Sequence, residues 1–270
     1  MKIKTSNTTI TSRVRAELER RWQSITSKTT TETPWGPKIY LNPPSKFEVS
    51  IANGVYESDE LSFFKDRIIS NSFTRLADLG AHVGIYGLIF AQESTHVDAF
   101  EPVPWTFGRL ARNYLLNDVE SYNIEQAAVT AEDGSVELHV DPSLSIEASA
   151  TGCTYSGGDL KTLSADAVTL DSYYADIQYP DLIKIDTEGA ERDVIRGGTQ
   201  TIEAASALFL EVHKVLMDDH REELQDIQEM CQDGGFSTAY HLEQDTDVSL
   251  SELSKIGGEK DERMHLYITG

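Results

Sequence analysis

The stretch LADLGAHVGIYGLIFA, residues 76–91, decides the fold. An apolar run interrupted by one acid, Asp78, is followed by a turn marked by Gly80 and Gly84, and then by a second apolar run. A strand that ends near Leu79, turns on glycine and enters a helix over Val83–Ala91 opens a parallel sheet with crossover helices. Glycines let backbone approach a ligand closely, and a helix N-terminus offers unpaired N–H donors and a positive dipole end. A nucleotide-like ligand is therefore expected at the carboxyl end of this first strand.

Working outward, strand and helix patterns alternate. The spacing predicts strands at His96–Phe100, Tyr122–Val129, Leu182–Ile185 and Leu208–Val212, with Val136–Val140 extending the third or flanking it. Helical patterns fall at Thr106–Leu116, Ala190–Ala205 and Asp218–Gln232. Two late strands, Phe236–His241 and Met264–Ile268, are joined by an acidic loop without helical pattern and should close the sheet as an antiparallel hairpin. The run Asp141–Ala165, rich in Ser, Gly, Ala and Thr, reads as one long loop. Upstream, Ile10, Val14, Leu18, Trp22 and Ile25 predict an amphipathic helix over residues 10–28. Extended runs are expected at Ile39–Leu41 and Phe47–Ile51, either side of an Asn42–Ser45 turn, and a lead-in helix at Asp59–Ile69. The expectation is a doubly wound, mostly parallel α/β domain over residues 73–270, preceded by an extension over residues 1–72.

Glu101 lies 23 residues after Asp78 (101 − 78), at the tip of the second strand in VDAFEP. A carboxylate there can accept from both ribose hydroxyls of a nucleoside cofactor. The glycine spacing chooses among such cofactors. A dinucleotide fingerprint needs glycine two residues after Gly80, and that position is His82, whose side chain would obstruct a pyrophosphate. S-adenosylmethionine has no phosphate and suits the looser turn. Further on, PDLIKIDTEGAERDVIRGG (residues 180–198) delivers Asp186 to the same sheet edge, with Glu188 and Glu191 at the following helix N-terminus. Both glutamates also read as helix caps. ALFLEVHK (residues 207–214) ends the fifth strand with Glu211 and His213 on one side by alternation. A histidine at a strand tip could serve as general base on a substrate hydroxyl, or be a hydrogen-bonded structural group.

Taken in order, DLGAHVG, AFEPVP, LIKIDTEGAE and LFLEVH resemble the FkbM family of methyltransferases, over about residues 55–240. The resemblance implies a seven-stranded Rossmann-like sheet with an antiparallel last strand. It implies S-adenosylmethionine as cofactor and a hydroxyl, on a sugar or a similar small metabolite, as methyl acceptor. Asp78, Gly80 and Gly84 would then form the cofactor loop and Glu101 take the ribose. Asp186 would lie near the reactive methyl, with the base among Asp186, Glu188 and His213. His82 stands where such loops commonly carry asparagine, and Gly87 where Ser or Thr is common. A side-chain bond to the cofactor's amino-acid end is therefore missing or supplied by His82. The alternatives are a methyltransferase acting on nitrogen or a macromolecule, and a binding module without catalysis.

Charge narrows the partners. The chain carries a net charge of −22 in 270 residues. Residues 1–75 hold 12 Lys+Arg against 8 Asp+Glu, and the remainder holds 11 against 37. Such a surface repels nucleic acid, whose binding runs on Lys and Arg. Asn42–Ser45 resembles a base-holding NPP-aromatic tetrad only superficially, because Ser45 cannot stack on a base. The even spread of acid reads as adaptation to high salt, or as an ordinary solvated acidic shell. Two distant cysteines, Cys153 and Cys231, define neither a disulfide framework nor a zinc site, and no residue is assigned as a metal ligand. Without an apolar signal core or a run of ~18 apolar residues, the sequence reads as cytoplasmic, with no stable membrane insertion. A homo-oligomer is compatible with all of this.

Overall fold

The computed structural model describes residues 30–41, 46–140, 148–149, 161–256 and 263–270. The expected helix over residues 10–28, the Asn42–Ser45 turn and most of the 141–165 loop, Cys153 included, lie outside these residues.

The chain begins with a hairpin, β1 (Thr30–Glu32) and β2 (Lys38–Tyr40), followed by helices α1 (Lys46–Ala52) and α2 (Ser58–Asn71). Next come β3 (Arg75–Leu79), α3 (Ile85–Glu93), β4 (His96–Phe100), α4 (Pro104–Leu116), β5 (Tyr122–Glu125) and β6 (Ala127–Val129). The strands β7 (Gly134–Val140), β8 (Ala148–Ser149) and β9 (Lys161–Val168) lead to α5 (Leu170–Tyr173) and β10 (Leu182–Ile185). Helices α6 (Glu191–Arg196) and α7 (Thr199–Ala204), strand β11 (Ala207–His213) and α8 (His220–Asp233) follow. The chain closes with β12 (Thr238–His241), β13 (Thr246–Ser249), α9 (Leu253–Ile256) and β14 (Arg263–Thr269).

The main sheet has the order β13-β12-β14-β11-β10-β3-β4-β5. From β11 to β5 the neighbours are parallel, and β14 enters antiparallel between β11 and β12. Order reverses between β3 and β10, which makes their carboxyl ends the switch point where such sheets bind ligands. The two faces carry separate apolar clusters. Leu76, Leu182 and Phe209 pack with Phe64, Leu88 and Leu110 of α2, α3 and α4. Ala77, Ile183 and Leu208 pack with Val194, Ile202 and Leu224 of α6, α7 and α8. Helices on both faces of a mostly parallel sheet are the expected doubly wound architecture.

Four local expectations are corrected. Phe47–Ile51 is helical, not extended; Phe47 and Ile51 are buried at the i, i+4 spacing of one helix face, which Phe-x-Val-x-Ile also mimics as strand alternation. Tyr122–Val129 is two strands, because β6 leaves the main sheet for a four-stranded one of order β6-β9-β7-β8. That sheet takes in β9, whose first five residues were assigned to the long loop. Finally, β13 adds an eighth strand beyond β12, and α9 follows it, where an unstructured acidic loop was expected. The described part of the extension packs into the main core through Trp35, Ile39, Leu41, Leu61 and Phe64. The β2 edge is tied to α4 where Tyr40 N–H donates to Asn113 Oδ1 at 2.8 Å.

Candidate active site

A cleft opens at the carboxyl ends of β3, β4 and β10. Its walls bring together Gly80, His82, Glu101, Lys184, Asp186 and Glu188, with Tyr56, Tyr86 and Trp105 around them. The second sheet closes one side through Ala127, Ala128, Val136 and Leu138.

Glu101 is 6% exposed, yet belongs to this wall. Its carboxylate accepts from the backbone N–H of Val103 at 2.8 Å and of His82 at 3.1 Å, which fixes its orientation. Burial pushes its pKa up to about 7 against the opposing effect of those N–H bonds. Asp78 is fully buried; one oxygen accepts from Gly87 N–H at 3.1 Å, and the other, 3.7 Å from Lys184 Nζ, has no hydrogen bond. Burial raises its pKa, opposed by the Lys184 charge and the Gly87 bond.

The turn glycines have another reason than ligand approach. A Cβ on Gly80, at φ +71, would lie 1.8 Å from the carbonyl oxygen of Asp186. One on Gly84, at φ +87, would meet Leu110 and Tyr114 of α4 at 2.6 and 2.8 Å. Both glycines therefore let the β3–α3 turn pass against the protein's own backbone and side chains. His82 adopts φ 52, a left-handed conformation uncommon outside glycine, and its ring meets Phe47 edge-on at 4.2 Å. At Gly87 an added Cβ would sit 2.0 Å from the Tyr114 hydroxyl, so Tyr114 occupies the space that a Ser or Thr side chain would need.

Strand parity builds the other half. Lys184 and Asp186 share the face of Leu182, and Glu211 and His213 share that of Phe209, so all four project where the apolar cluster under α2 and α3 runs out. Lys184 Nζ, 3% exposed as a residue, donates to Asp186 Oδ2 at 3.0 Å and to Gly80 O at 3.2 Å, 4.9 Å from the Tyr86 ring centroid. Burial works against its charge, but Asp186 and Asp78 outweigh that and hold its pKa above the usual lysine value. This lysine carries no role in the sequence expectation, although a lone Lys in an apolar parallel strand, two residues from Asp186, is itself a sign of a buried ion pair.

His213 lies 4.0 Å from Asp186 through Nε2, so the two come together as expected. The ring is 3% exposed and does not line the cleft. Its Nδ1 contacts Glu191 Oε1 at 3.0 Å, while Nε2 faces Glu211 at 3.3 Å and Glu188 at 3.4 Å. Burial opposes protonation, but hydrogen bonds to Glu191 and Glu211, with the charges of Glu191 and Glu188, raise its pKa well above 6.5. An imidazolium enclosed by carboxylates has no free lone pair at neutral pH. Glu191, completely buried, also accepts from Gly189 N–H at 2.9 Å, so it closes the turn and holds His213. Besides Glu101, the carboxylates that line the cleft are Asp186 and Glu188.

The Methyltransferase FkbM domain matches residues 78–238 of this chain. The hexuronic acid methyltransferase AglP of Haloferax volcanii is 28% identical over 140 residues, which are 51% of this chain and 55% of that protein. Methyltransferase 1 of Beauveria bassiana is 26% identical over 183 residues, covering 59% of this chain and 71% of that one. The chain thus spans little more than half the length of AglP. The solved structure of an FkbM methyltransferase from Methylobacillus flagellatus KT is matched over 93% of this chain and 59% of that one, at 11% identity and a TM-score of 0.42.

Proposed function

This chain belongs to the FkbM methyltransferase family, and we propose that it transfers a methyl group from S-adenosylmethionine to a hydroxyl of a sugar or similar small metabolite. The observation that carries this reading is the placement of Glu101, Gly80 and His82 together with Asp186 and Glu188 on the wall of one cleft. The wall fits the cofactor chemically. Glu101 keeps acceptor capacity toward the cleft after its two backbone bonds, which suits ribose hydroxyls. Lys184 is the one lysine or arginine among the described lining residues, so the wall favours a sulfonium cation over a diphosphate. When bound, S-adenosylmethionine supplies an electrophilic methyl group.

The chain's own residues then align and deprotonate the acceptor. The cleft would hold an acceptor hydroxyl beside the cofactor's methyl group, and the acceptor's proton would pass to Asp186 or Glu188. Lys184 fixes Asp186 by the 3.0 Å bond, and His213 holds Glu188 from behind. His213 is a positioning residue in this scheme. The acceptor is a small molecule; the acidic wall opposes a polyanion such as nucleic acid.

Calorimetric titration with S-adenosylmethionine, S-adenosylhomocysteine and NAD separates the cofactor classes. Turnover with neutral and uronic glycosides, nitrogen acceptors and peptides then separates acceptors. Binding without turnover on any panel member would leave a non-catalytic cofactor-binding module, and tight NAD binding would sink the reading.

A further inference from the structure

A second polar cluster lies behind the cleft wall, where β11, β14 and the start of α2 meet. Across the antiparallel β11–β14 ladder Glu211 pairs with His265 and His213 with Arg263, so these side chains share one face. Glu57, at the N-terminal end of α2 with φ 40, reaches the same place, and its Oε2 accepts from the Tyr86 hydroxyl at 2.8 Å. One ligand atom each from Glu57, Glu211 and His265 lie within 4.8 Å of one another.

We propose that Glu57, Glu211 and His265 form a binding site for a divalent cation of the zinc or manganese type. Two atoms of the set, Glu57 Oε1 and His265 Nε2, are buried without any hydrogen bond. Their side chains are 5% and 4% exposed. Buried polar atoms are nearly always satisfied, so Glu57 Oε1, with the Arg263 guanidinium 3.9 Å away, calls for a closer partner. The histidine is also held as metal-binding imidazoles are. Its Nδ1 faces Glu243 Oε1 at 2.6 Å, which fixes the ring and leaves Nε2 directed at Glu211 Oε2, 3.2 Å away. That separation matches the roughly 3.3 Å between neighbouring ligands of a tetrahedral ion bound at about 2.0 Å. An imidazole with two carboxylates suits zinc or manganese, whereas magnesium and calcium prefer all-oxygen sets.

Electrostatics supports the same assignment. Glu57, Glu211 and Glu243 surround His265, and Arg263 is the guanidinium beside them, 3.0 Å from Glu211 and 3.9 Å from Glu57. Asp186, Glu211 and His213 form a neighbouring triad. Its imidazole leaves no nitrogen among the orphaned buried atoms, which favours the Glu57 set.

The test uses the full chain, stripped with a chelator and titrated with ZnCl2 or MnCl2 without S-adenosylmethionine, so its outcome is independent of the cofactor reading. One equivalent bound by calorimetry, with a melting temperature that rises on metal addition and falls back with EDTA, is expected. Glu57→Gln, which keeps an acceptor for Tyr86, should weaken binding at least tenfold, and His265→Gln should do the same. Asp186→Asn should leave it unchanged. No binding by the stripped wild type overturns the proposal. So does a folded Glu57→Gln variant that binds as tightly as wild type, or loss of binding in Asp186→Asn alone.

Discussion

His213 Nδ1 lies 3.0 Å from Glu191 Oε1, and both side chains are buried. This pair, with Glu211 on the far side of the ring, makes His213 a buried cation and not a free base. Its folded pKa is raised above the ~6.5 of a free imidazole, so its contribution to stability is complete below pH ~6.5 and is lost as pH climbs through the raised value. Urea unfolding should give less stability at pH 9 than at pH 6. His213→Gln should cost about 3–5 kcal/mol at pH 6, since buried carboxylates lose their partner, and should flatten the alkaline decline. A cost below ~1 kcal/mol would show that the ring is not charged in the fold. An activity profile rising through a histidine titration near neutral pH is not expected.

Glu101 should govern cofactor affinity in a pH-dependent way. Its carboxyl sits at about 7, so the ionised form, which favours a sulfonium, is gained as pH rises through neutrality. The dissociation constant for S-adenosylmethionine should fall between pH 6 and pH 8. Glu101→Ala should weaken binding by about 1.5–3 kcal/mol at pH 8 and abolish that trend. Affinity equal to wild type in a folded variant would place Glu101 outside the cofactor site.

Gly87 and Tyr114 should behave as a coupled pair. A Cβ at Gly87 would lie 2.0 Å from the Tyr114 hydroxyl, which is buried without a hydrogen bond. Gly87→Ala should therefore destabilise by roughly 1–3 kcal/mol, as overpacking does. Tyr114→Phe alone should be close to neutral, because it removes an unsatisfied group. The double variant should recover most of the loss. Additive losses in a double-mutant cycle would count against the clash. Gly80→Ala has no such remedy, since its obstacle is the Asp186 backbone at 1.8 Å.

The acidic surface should respond to salt. With a net charge of −22, screening of like charges should raise the melting temperature as KCl goes from dilute to molar. A flat or falling curve would indicate an ordinary acidic protein.

The sequence by itself determined the doubly wound domain, the β3–α3 turn at Gly80–Gly84 and the meeting of Glu101 with Asp186 at one edge. These are legible because they follow from local period and from strand order, and the switch point then converges the strand tips. The order of the late strands was half legible: an antiparallel closure, but not β13, whose short polar run TDVS has no apolar alternation to announce it. Only the tertiary structure decided the roles inside the site. His213 as a base and His213 as a clamped cation have the same sequence; the difference is made by Glu188, Glu191 and Glu211 converging from separate elements. Gly80 is required by the backbone of Asp186, just past β10 and over 100 residues away, and Glu57 reaches His265 only because β14 inserts beside β11. Period and propensity act over a few residues, whereas burial, pKa and close contact depend on which distant chains pack together, and that is fixed only when the sheet is assembled.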